Sequence, residues 1–376
     1  MEKYTVIIPT RDRAETLESA LKTCLSQTYP NYEVVVSDNF SSDSTREVVA
    51  KFSDARLTYI NPGRRLSMTE NFEFALSHVS DGFVMFIGDD DGLLPDSINY
   101  VAEVQKRFNV LAISGQSAEY CWPNFPDVSR ANFLSWGSSK ERLELRTSRR
   151  WVQRCLSFRE PYTFGMPKLY HGFVHKSVID KAFSAGAYFA SITPDAYSAF
   201  ATAFFVDKYV FSYKPFTIGG ASGKSNGVSG LEKKGSNNEA NKYLKENTIE
   251  FHSDYKFTFS LEVVMAETFA QFSDRFPKLT HGFAVDKESM LRFSVNTANS
   301  KNYEDVKAAA TVMAEKYSLD LRRRSCRFLF KKAVRFFDSL LRRAKTVMFG
   351  ARIADSSLLG VNNVYDASLY IYKCFK

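Results

Sequence analysis

An α/β fold with a mostly parallel, doubly wound central sheet is predicted by two observations in the first ninety residues. Short β-branched runs alternate one for one with helical patterns, which implies right-handed βαβ units. Polar and acidic clusters stand at the carboxyl end of those runs, where open α/β sheets place their ligands. Residues 4–9 (YTVIIP) read as a buried strand, and Leu17, Ala20, Leu21, Cys24 and Leu25 then recur at helical spacing. Asp12, with Glu15 three residues on, is placed to cap that helix. A second strand at Tyr32–Asp38, a helix over 42–52, a third strand at Leu57–Ile60, a helix over 69–79 and a strand over 83–88 follow.

The last of these strands delivers Asp89-Asp90-Asp91, which is closed by Gly92 and Pro95. Three adjacent carboxylates repel one another, and a fold tolerates them where a cation or solvent neutralises the field. A hard oxygen cluster suits Mg²⁺ or Mn²⁺ shared with a substrate's phosphates; the plain alternative is a solvated acidic turn. The segments Pro9-Thr10-Arg11-Asp12, Ser37-Asp38-Asn39 and Asp89-Asp90-Asp91 are all at strand ends and are expected to converge.

The string VIIPTRDRAETLESALKTCLSQTYPNYEVVVSDNFSSDST, followed by DDDGLLPDS, resembles the nucleotide-binding half of the family 2 glycosyltransferases of bacterial surface-polysaccharide type, which have the GT-A fold. The resemblance covers about the first hundred residues. It implies that Pro9, Thr10 and Arg11 pack against the nucleotide base, that Asp38 accepts from a uracil-type imide N–H, that Asp89 faces the ribose and that Asp90 binds the divalent cation. Gly88 stands where many members begin the acidic motif with Asp, which leaves Asp90 and Asp91 both eligible as principal ligand; alignment on Pro95 favours Asp90. A buried carboxylate is an acceptor-only group and can select an imide; the plain alternative is an Asp that caps a turn at the strand end. Arg64 and Arg65 follow the third strand, and a guanidinium fork suits paired phosphate oxygens.

Sugar transfer needs a group that takes the acceptor's proton. The resemblance implies an acid well downstream of the metal motif at the start of a helix. Asp195 has that context, with Pro194 before it and Tyr197, Phe200, Ala201 and Phe204 at helical spacing. It would also serve as a first-turn acid favoured by the helix dipole. Tyr170-His171-Gly172-Phe173-Val174-His175 reads as a short strand with both histidines on the face of Phe173. His171 is a candidate for acceptor or metal contact, or for a structural role. Arg149-Arg150-Trp151 is similar to the arginine–tryptophan motif of processive synthases but precedes the candidate base, which implies addition of one or a few sugars. Residues 219–230 (GGASGKSNGVSG) form a candidate substrate lid in which Lys224 and Ser225 would contact the diphosphate, the alternative being a surface connection.

The expected organisation is a GT-A domain over 1–218, divided into a nucleotide-sugar half (1–115) and an acceptor half (116–218). A lid and helical region (219–320) and a basic amphipathic extension (321–376) follow. The five cysteines show no metal-ligand spacing and are odd in number, which fits a reducing cytosol. Strand-like sequence starts after three residues, so no signal peptide is expected, and no apolar run approaches the roughly 18 residues of a spanning helix. Residues 321–376 hold 13 Lys and Arg against 3 Asp, net +10, whereas the preceding 320 residues are net −2. There, Phe328, Leu329, Phe336, Phe337, Leu340 and Leu341 alternate with Arg327, Lys331, Lys332, Arg335, Arg342 and Arg343, the pattern of an interfacial membrane helix. A helix packed on the domain, or on a second copy of the chain, is the alternative; nucleic acid is not expected, because no nucleic-acid-binding motif accompanies the charge.

The sequence therefore predicts a metal-dependent, inverting glycosyltransferase using Mn²⁺ or Mg²⁺ and a UDP-sugar. It would act on a lipid-linked or surface-polysaccharide acceptor while peripheral to the inner face of the cell membrane. A nucleotidyltransferase on a similar scaffold would carry glycines in the first loop, which PTRDR lacks. An inactive nucleotide-sugar-binding subunit is the non-enzyme alternative.

Overall fold

The runs YTVIIPT and YEVVVSD form β1 (Tyr4–Thr10) and β2 (Tyr32–Asp38), paired in parallel from Tyr4 opposite Tyr32 to Thr10 opposite Asp38. A computed structural model describes residues 1–183, 186–225, 239–322, 325–348 and 352–376, with side chains at all of these but 239–241, 338–339 and 341–348. β3 (Leu57–Ile60) lies outside β2, and β4 (Phe83–Phe86) lies on the other side of β1, both parallel. Successive side chains of these strands feed opposite faces. Val6, Ile8, Val34 and Val36 enter one apolar cluster while Ile7, Val35 and Phe86 enter the other. Both faces are thus buried, the condition under which parallel strands read as unbroken apolar runs.

The chain continues through β5 (Gly92–Leu93), β6 (Ala112–Gly115), β7 (Ala118–Cys121), β8 (Phe133–Trp136), β9 (Leu143–Thr147), β10 (Gly172–His175), β11 (Lys208–Ser212), β12 (Thr217–Ala221) and β13 (Arg352–Asp355). The main sheet has the order β3-β2-β1-β4-β10-β6-β11-β9. Within it β10 runs antiparallel to both neighbours and β9 closes the edge antiparallel to β11. A smaller sheet, β13-β8-β7-β12-β5, begins one residue after Asp91 and backs the acidic loop. The resulting architecture is the expected α/β GT-A arrangement with added C-terminal helices.

Several local expectations change. Asp12 does not cap the helix Ala14–Leu25, which has no side-chain N-cap of its own. It adopts a left-handed φ of 52°, its carboxylate accepts from the Ser42 amide and hydroxyl, and Asp43 Oδ2 accepts from the Ala14 amide at 2.9 Å instead. A reciprocal capping box does occur two βα units later, between Ser67 and Glu70. His171 is not part of a strand with His175, because its φ of 57° breaks the alternation before β10 begins.

Gly219, Gly220 and Ala221 belong to β12 and not to a loop, pairing in parallel with β7. The reason is close approach: a Cβ on Gly220 would stand 1.7 Å from the Asp90 carbonyl oxygen. Residues 226–230 of the glycine-rich stretch, and most of the polar run after it, lie outside the described residues, as do Arg323 and Arg324. The side chains of Leu341, Arg342 and Arg343 do too.

The extension 321–376 is not one amphipathic segment. The helix Cys326–Met348 is followed by β13, which pairs antiparallel with β8, and by the helix Val364–Phe375. Val364, Ala367 and Ile371 of that last helix are buried with Leu94, Tyr120 and Trp136, and Tyr372 Oη donates to Asp96 Oδ2 at 2.5 Å. The far C-terminus therefore completes the core beside the acidic loop.

Candidate active site

Thr10, Asp38 and Asp89 stand at or just past the carboxyl ends of β1, β2 and β4. The register brings Thr10 opposite Asp38, and the Thr10 hydroxyl donates to Asp89 Oδ2 at 2.7 Å, tying the exits of β1 and β4 together. Arg13 Nη1 donates to the other Asp89 oxygen at 3.1 Å. Burial nevertheless pushes the Asp89 carboxyl up to about 6, with the Arg13 charge opposing and the neighbouring Asp90 adding to the rise. Asp38 is buried too. Its Oδ1 accepts from the Ser41 amide at 3.0 Å, and its Oδ2 from Tyr59 Oη at 2.5 Å and Asn61 Nδ2 at 3.2 Å.

Asp90 and Asp91 differ in their partners. Asp91 is saturated: Oδ2 accepts from the Gly88 amide at 2.6 Å and Tyr170 Oη at 2.6 Å and lies 3.1 Å from His171 Nε2, while Oδ1 accepts from the Gly220 amide at 2.6 Å. Burial pushes its carboxyl up, but the His171 charge and these donors outweigh it and hold it below the ordinary carboxylate range. Asp90 is bonded through one oxygen: Oδ2 accepts from the Ser222 amide and hydroxyl, at 3.2 and 2.7 Å, and from the Ser225 hydroxyl. Among the described residues no donor is bonded to Asp90 Oδ1. Burial and the Asp91 charge push its carboxyl up, the electrostatic situation a cation would relieve.

Among the described residues no group of three or more His, Cys, Asp or Glu is gathered as a metal cage. A Mg²⁺ or Mn²⁺ ion held by one or two carboxylates and completed by substrate phosphates does not need one. The hard, open oxygen of Asp90 fits that mode; Asp91, with both oxygens engaged, fits the task of holding the loop. Trp122 Nε1 donates to the Asp90 carbonyl at 3.0 Å and fixes the same turn from β7.

Asp195 is half-buried in the first turn of the helix Pro194–Phe205, with Pro194 at the first position. Its Oδ2 accepts from Tyr162 Oη at 2.6 Å, and no donor is bonded to Oδ1 among the described residues. The preceding turn is pinned from three sides: Thr69 Oγ1 donates to the Ser191 carbonyl, Tyr243 Oη to the Ile192 carbonyl, and Ser191, Thr193 and Thr268 share hydroxyl contacts of 2.8 Å. Between the two acidic centres lies Lys168, whose Nζ donates to the Thr163 carbonyl at 2.9 Å. Burial pulls its ammonium down to about 8, against the attraction of both Asp195 and Asp91. The Tyr170 hydroxyl is likewise buried and feels Asp91, Asp90 and Asp195, and is pushed well up. One continuous field thus joins the acidic loop to Asp195.

The loop cations are already engaged. Glu246, at the end of the helix Glu239–Glu246, pairs with both Arg11 and Arg65, and Arg65 also reaches Asp12 at 3.0 Å. Lys224 Nζ lies 3.3 Å from both the Asp12 carbonyl and Glu15 Oε1, while Arg13 reaches the Lys224 carbonyl. The expected lid residues Lys224 and Ser225 therefore close over the acidic loop itself. Arg149 and Trp151 take structural places, the first donating to the Leu279 and Phe204 carbonyls and the second stacking on Arg146 at 3.8 Å. Arg13, Tyr162, Lys168, Tyr170, Ser222 and Glu246 escaped sequence reasoning. Arg13, two residues from Arg11 in the same strand-end motif, Tyr170, beside His171, and Ser222, inside the glycine-rich stretch, carried a local signal; Tyr162, Lys168 and Glu246 carried none.

The strand order and the acidic loop at its carboxyl edge are those of a GT-A domain. Residues 5–168 match the family described as glycosyl transferase family 2, and the chain carries a family 2 glycosyltransferase domain. It is similar to the GalNAc(5)-diNAcBac-PP-undecaprenol beta-1,3-glucosyltransferase of Campylobacter jejuni, 36% identical over 102 residues, 26% of this chain and 33% of that protein. It is also similar to the Escherichia coli UDP-Glc:alpha-D-GlcNAc-diphosphoundecaprenol beta-1,3-glucosyltransferase WfgD, 27% identical over 117 residues, 31% of this chain and 46% of that one. The matches thus span about a third to a half of those relatives. Among solved structures, Staphylococcus aureus TarS 1-349 aligns over 91% of this chain and 92% of its own at 13% identity, with a TM-score of 0.45. The Pyrobaculum calidifontis mannosyltransferase PcManGT, in complex with GDP-Man and Mn²⁺, aligns over 85% and 88% at 15% identity with a TM-score of 0.42.

Proposed function

We propose that the chain is a metal-dependent, inverting glycosyltransferase. It moves a sugar from a nucleotide diphosphate, a UDP-sugar, to a lipid-linked or surface-polysaccharide acceptor at the cytoplasmic face of a membrane. The observation that carries this reading is the meeting of Thr10, Asp38 and Asp89–Asp91 at one sheet edge, in electrostatic contact through Lys168 and Tyr170 with a half-open carboxylate at Asp195. The two glucosyltransferases above are named for acceptors on diphosphoundecaprenol, which supports the acceptor class.

In this reading Pro9, Thr10 and Arg11 border the base, Asp38 accepts from the uracil imide, and Asp89 faces the ribose. Asp90 Oδ1 holds Mn²⁺ or Mg²⁺, and Asp91, fixed by His171 and Tyr170, keeps the loop in place. The bound ion would supply charge stabilisation to the departing diphosphate. Arg65, Lys224 and Ser225 turn from their present partners to the phosphates. Tyr162 holds Asp195 by one oxygen, so that the other takes the acceptor hydroxyl's proton as the new bond forms. Residues 1–115 serve the donor and 116–218 the acceptor.

Incubating the protein with a panel of UDP- and GDP-sugars, Mn²⁺ and a polyprenyl-diphosphate saccharide, with mass spectrometry of the lipid product, tests the reading. Mass gain with one UDP-sugar is expected. No gain with any donor, despite tight Mn²⁺-dependent UDP binding, would point to a binding subunit.

A further inference from the structure

The helix Cys326–Met348 is mounted on the protein by its basic side. Lys331 pairs with Asp286, Arg335 lies 3.7 Å from Glu262 and over the Phe293 ring at 4.4 Å, and Lys332 Nζ donates to Asn296 at 2.7 Å. Among the described side chains Phe328 is the one large apolar residue on that side, its ring 4.9 Å from that of Phe293. At about 100° per residue, Phe328, Lys331 and Arg335 share one face and Leu329, Phe330, Phe336, Phe337 and Leu340 the opposite one. That second face is bare: Phe330, Phe336 and Phe337 are 70%, 60% and 61% exposed. The seam beneath the helix is open as well, with a cavity of about 610 Å³ lined in part by Phe283, Tyr317, Leu319, Arg327 and Lys331.

We propose that this outward apolar face is an insertion surface for an anionic lipid bilayer, with the basic face serving as the bracket that fixes it to the catalytic body. A water-soluble contact would put the apolar stripe inward; here Asp286 and Glu262 hold the cations and leave the aromatic stripe outward. Leu329 to Leu340 covers roughly 16 Å of helix, and a convex ridge of aromatic and leucine side chains suits the plane of a membrane interface. No described helix is long and apolar enough to cross a membrane, so the ridge would lie in the interface without spanning it. Charge selects lipid over a second copy of the chain. The helix Cys326–Met348 holds seven Lys and Arg against one Asp, so a symmetric pairing would bring two net-positive helices together, whereas an anionic surface neutralises one. Arg327, 3.6 Å from Asp286 at the edge of the bracket, keeps 73% of its side chain exposed, and a long cationic side chain there reaches headgroups. The proposal deepens the functional reading above by naming the surface that would hold the enzyme at its acceptor. Because vesicle binding is measured without turnover, the two fail separately.

The test is co-sedimentation of the full chain with phosphatidylcholine vesicles, with and without phosphatidylglycerol, alongside the variant Phe330→Ser, Phe336→Ser, Phe337→Ser. The natural chain should pellet with anionic vesicles, less so in high salt, and the variant should lose about 100-fold in partitioning with an unchanged melting curve, since three aromatic side chains leave the interface. Phe336→Trp should shift to the blue on vesicle addition and be quenched by brominated acyl chains. Undiminished binding by the triple variant overturns the proposal. So does an unshifted tryptophan, or a natural chain that ignores vesicles and forms a dimer that the triple variant dissolves.

Discussion

At the scale of single residues, two adjacent carboxylates with the same burial have opposite assignments because of their hydrogen bonds. Asp91 satisfies buried donors from Gly88, Gly220, Tyr170 and His171, and stranding a buried donor costs about 1–3 kcal/mol. Asp91→Ala should therefore lower stability by about 3 kcal/mol or more in a denaturant titration. Asp90→Ala removes a disfavoured buried charge but strands the Ser222 amide and hydroxyl, so it should lower stability less than Asp91→Ala does, while calorimetry shows Mn²⁺-dependent UDP binding abolished. Equal UDP affinity with and without Mn²⁺ in the natural chain would falsify the metal role. Asp195→Asn keeps the Tyr162 contact but cannot take a proton; donor binding should persist and transfer should fall by roughly 10² to 10⁴. If turnover stays near normal where chemistry is limiting, Asp195 is not the base. Glu160 is the next acid to consider, although it is buried in an ion pair with Arg154 at 2.7 Å.

Asp89 gives a pH signature with a definite sign. Its folded carboxyl, at about 6, lies above the unfolded value, so its favourable contribution is full below about 4 and is lost as pH rises through 6. In metal-free protein the loss amounts to about 3 kcal/mol at pH 7. Relative to the natural chain, Asp89→Asn should gain stability between pH 4.5 and 7 in urea titrations at matched salt. An identical pH profile for the two proteins would show that Asp89 is ionised without penalty.

At the scale of elements, the helix Glu239–Glu246 and the residues after β12 cover Arg11, Arg65 and Asp90, the groups to which the proposed donor would bind. Glu246 occupies the Arg11 and Arg65 guanidiniums, and Ser225 occupies Asp90. These pairs are partly exposed, and each is worth up to about 1 kcal/mol. Glu246→Gln, which keeps the shape and removes the charge, should tighten UDP binding by about fivefold in calorimetry. Weaker binding would mean that Glu246 assists the donor instead of competing with it. The βα units themselves were legible from sequence because a parallel strand buried on both faces is a continuous apolar run, and its strand-end motif is local. Asp12 was misjudged for the complementary reason. A capping box is a pattern within four residues, but the Asp12 carboxylate is satisfied by Ser42 and Arg65, about 30 and 50 residues away in sequence.

At the scale of the whole molecule, the C-terminus is a structural part of the catalytic body. The helix Val364–Phe375 buries Val364, Ala367 and Ile371 against the sheet that supports the acidic loop, and Val364 Cγ2 would stand 3.0 Å from a Cβ on Gly92. Val364 and Ile371 are each worth about 1.5–3 kcal/mol, a large share of a domain's net stability. A chain ended after residue 350 should aggregate or melt about 10 °C lower. Melting at the temperature of the full chain would show that β13 and the last helix are dispensable.

Legible in the chain were the α/β class, the positions of the first four strands, the strand-end placement of Thr10, Asp38 and the acidic triplet, and a helix beginning at Pro194 and Asp195. Each is set by periodicity or by a motif within a few residues. Which of Asp90 and Asp91 keeps an open oxygen is set by folding, since their partners come from Gly220 of β12, from Ser222 and Ser225 just after it, and from Tyr170 and His171. The same holds for Tyr162 on Asp195, for the basic helix face that turns inward to Asp286 and Glu262, and for the return of the C-terminus to the core. These depend on contacts between residues tens to hundreds of positions apart, and neither residue of such a pair carries a local mark of the other.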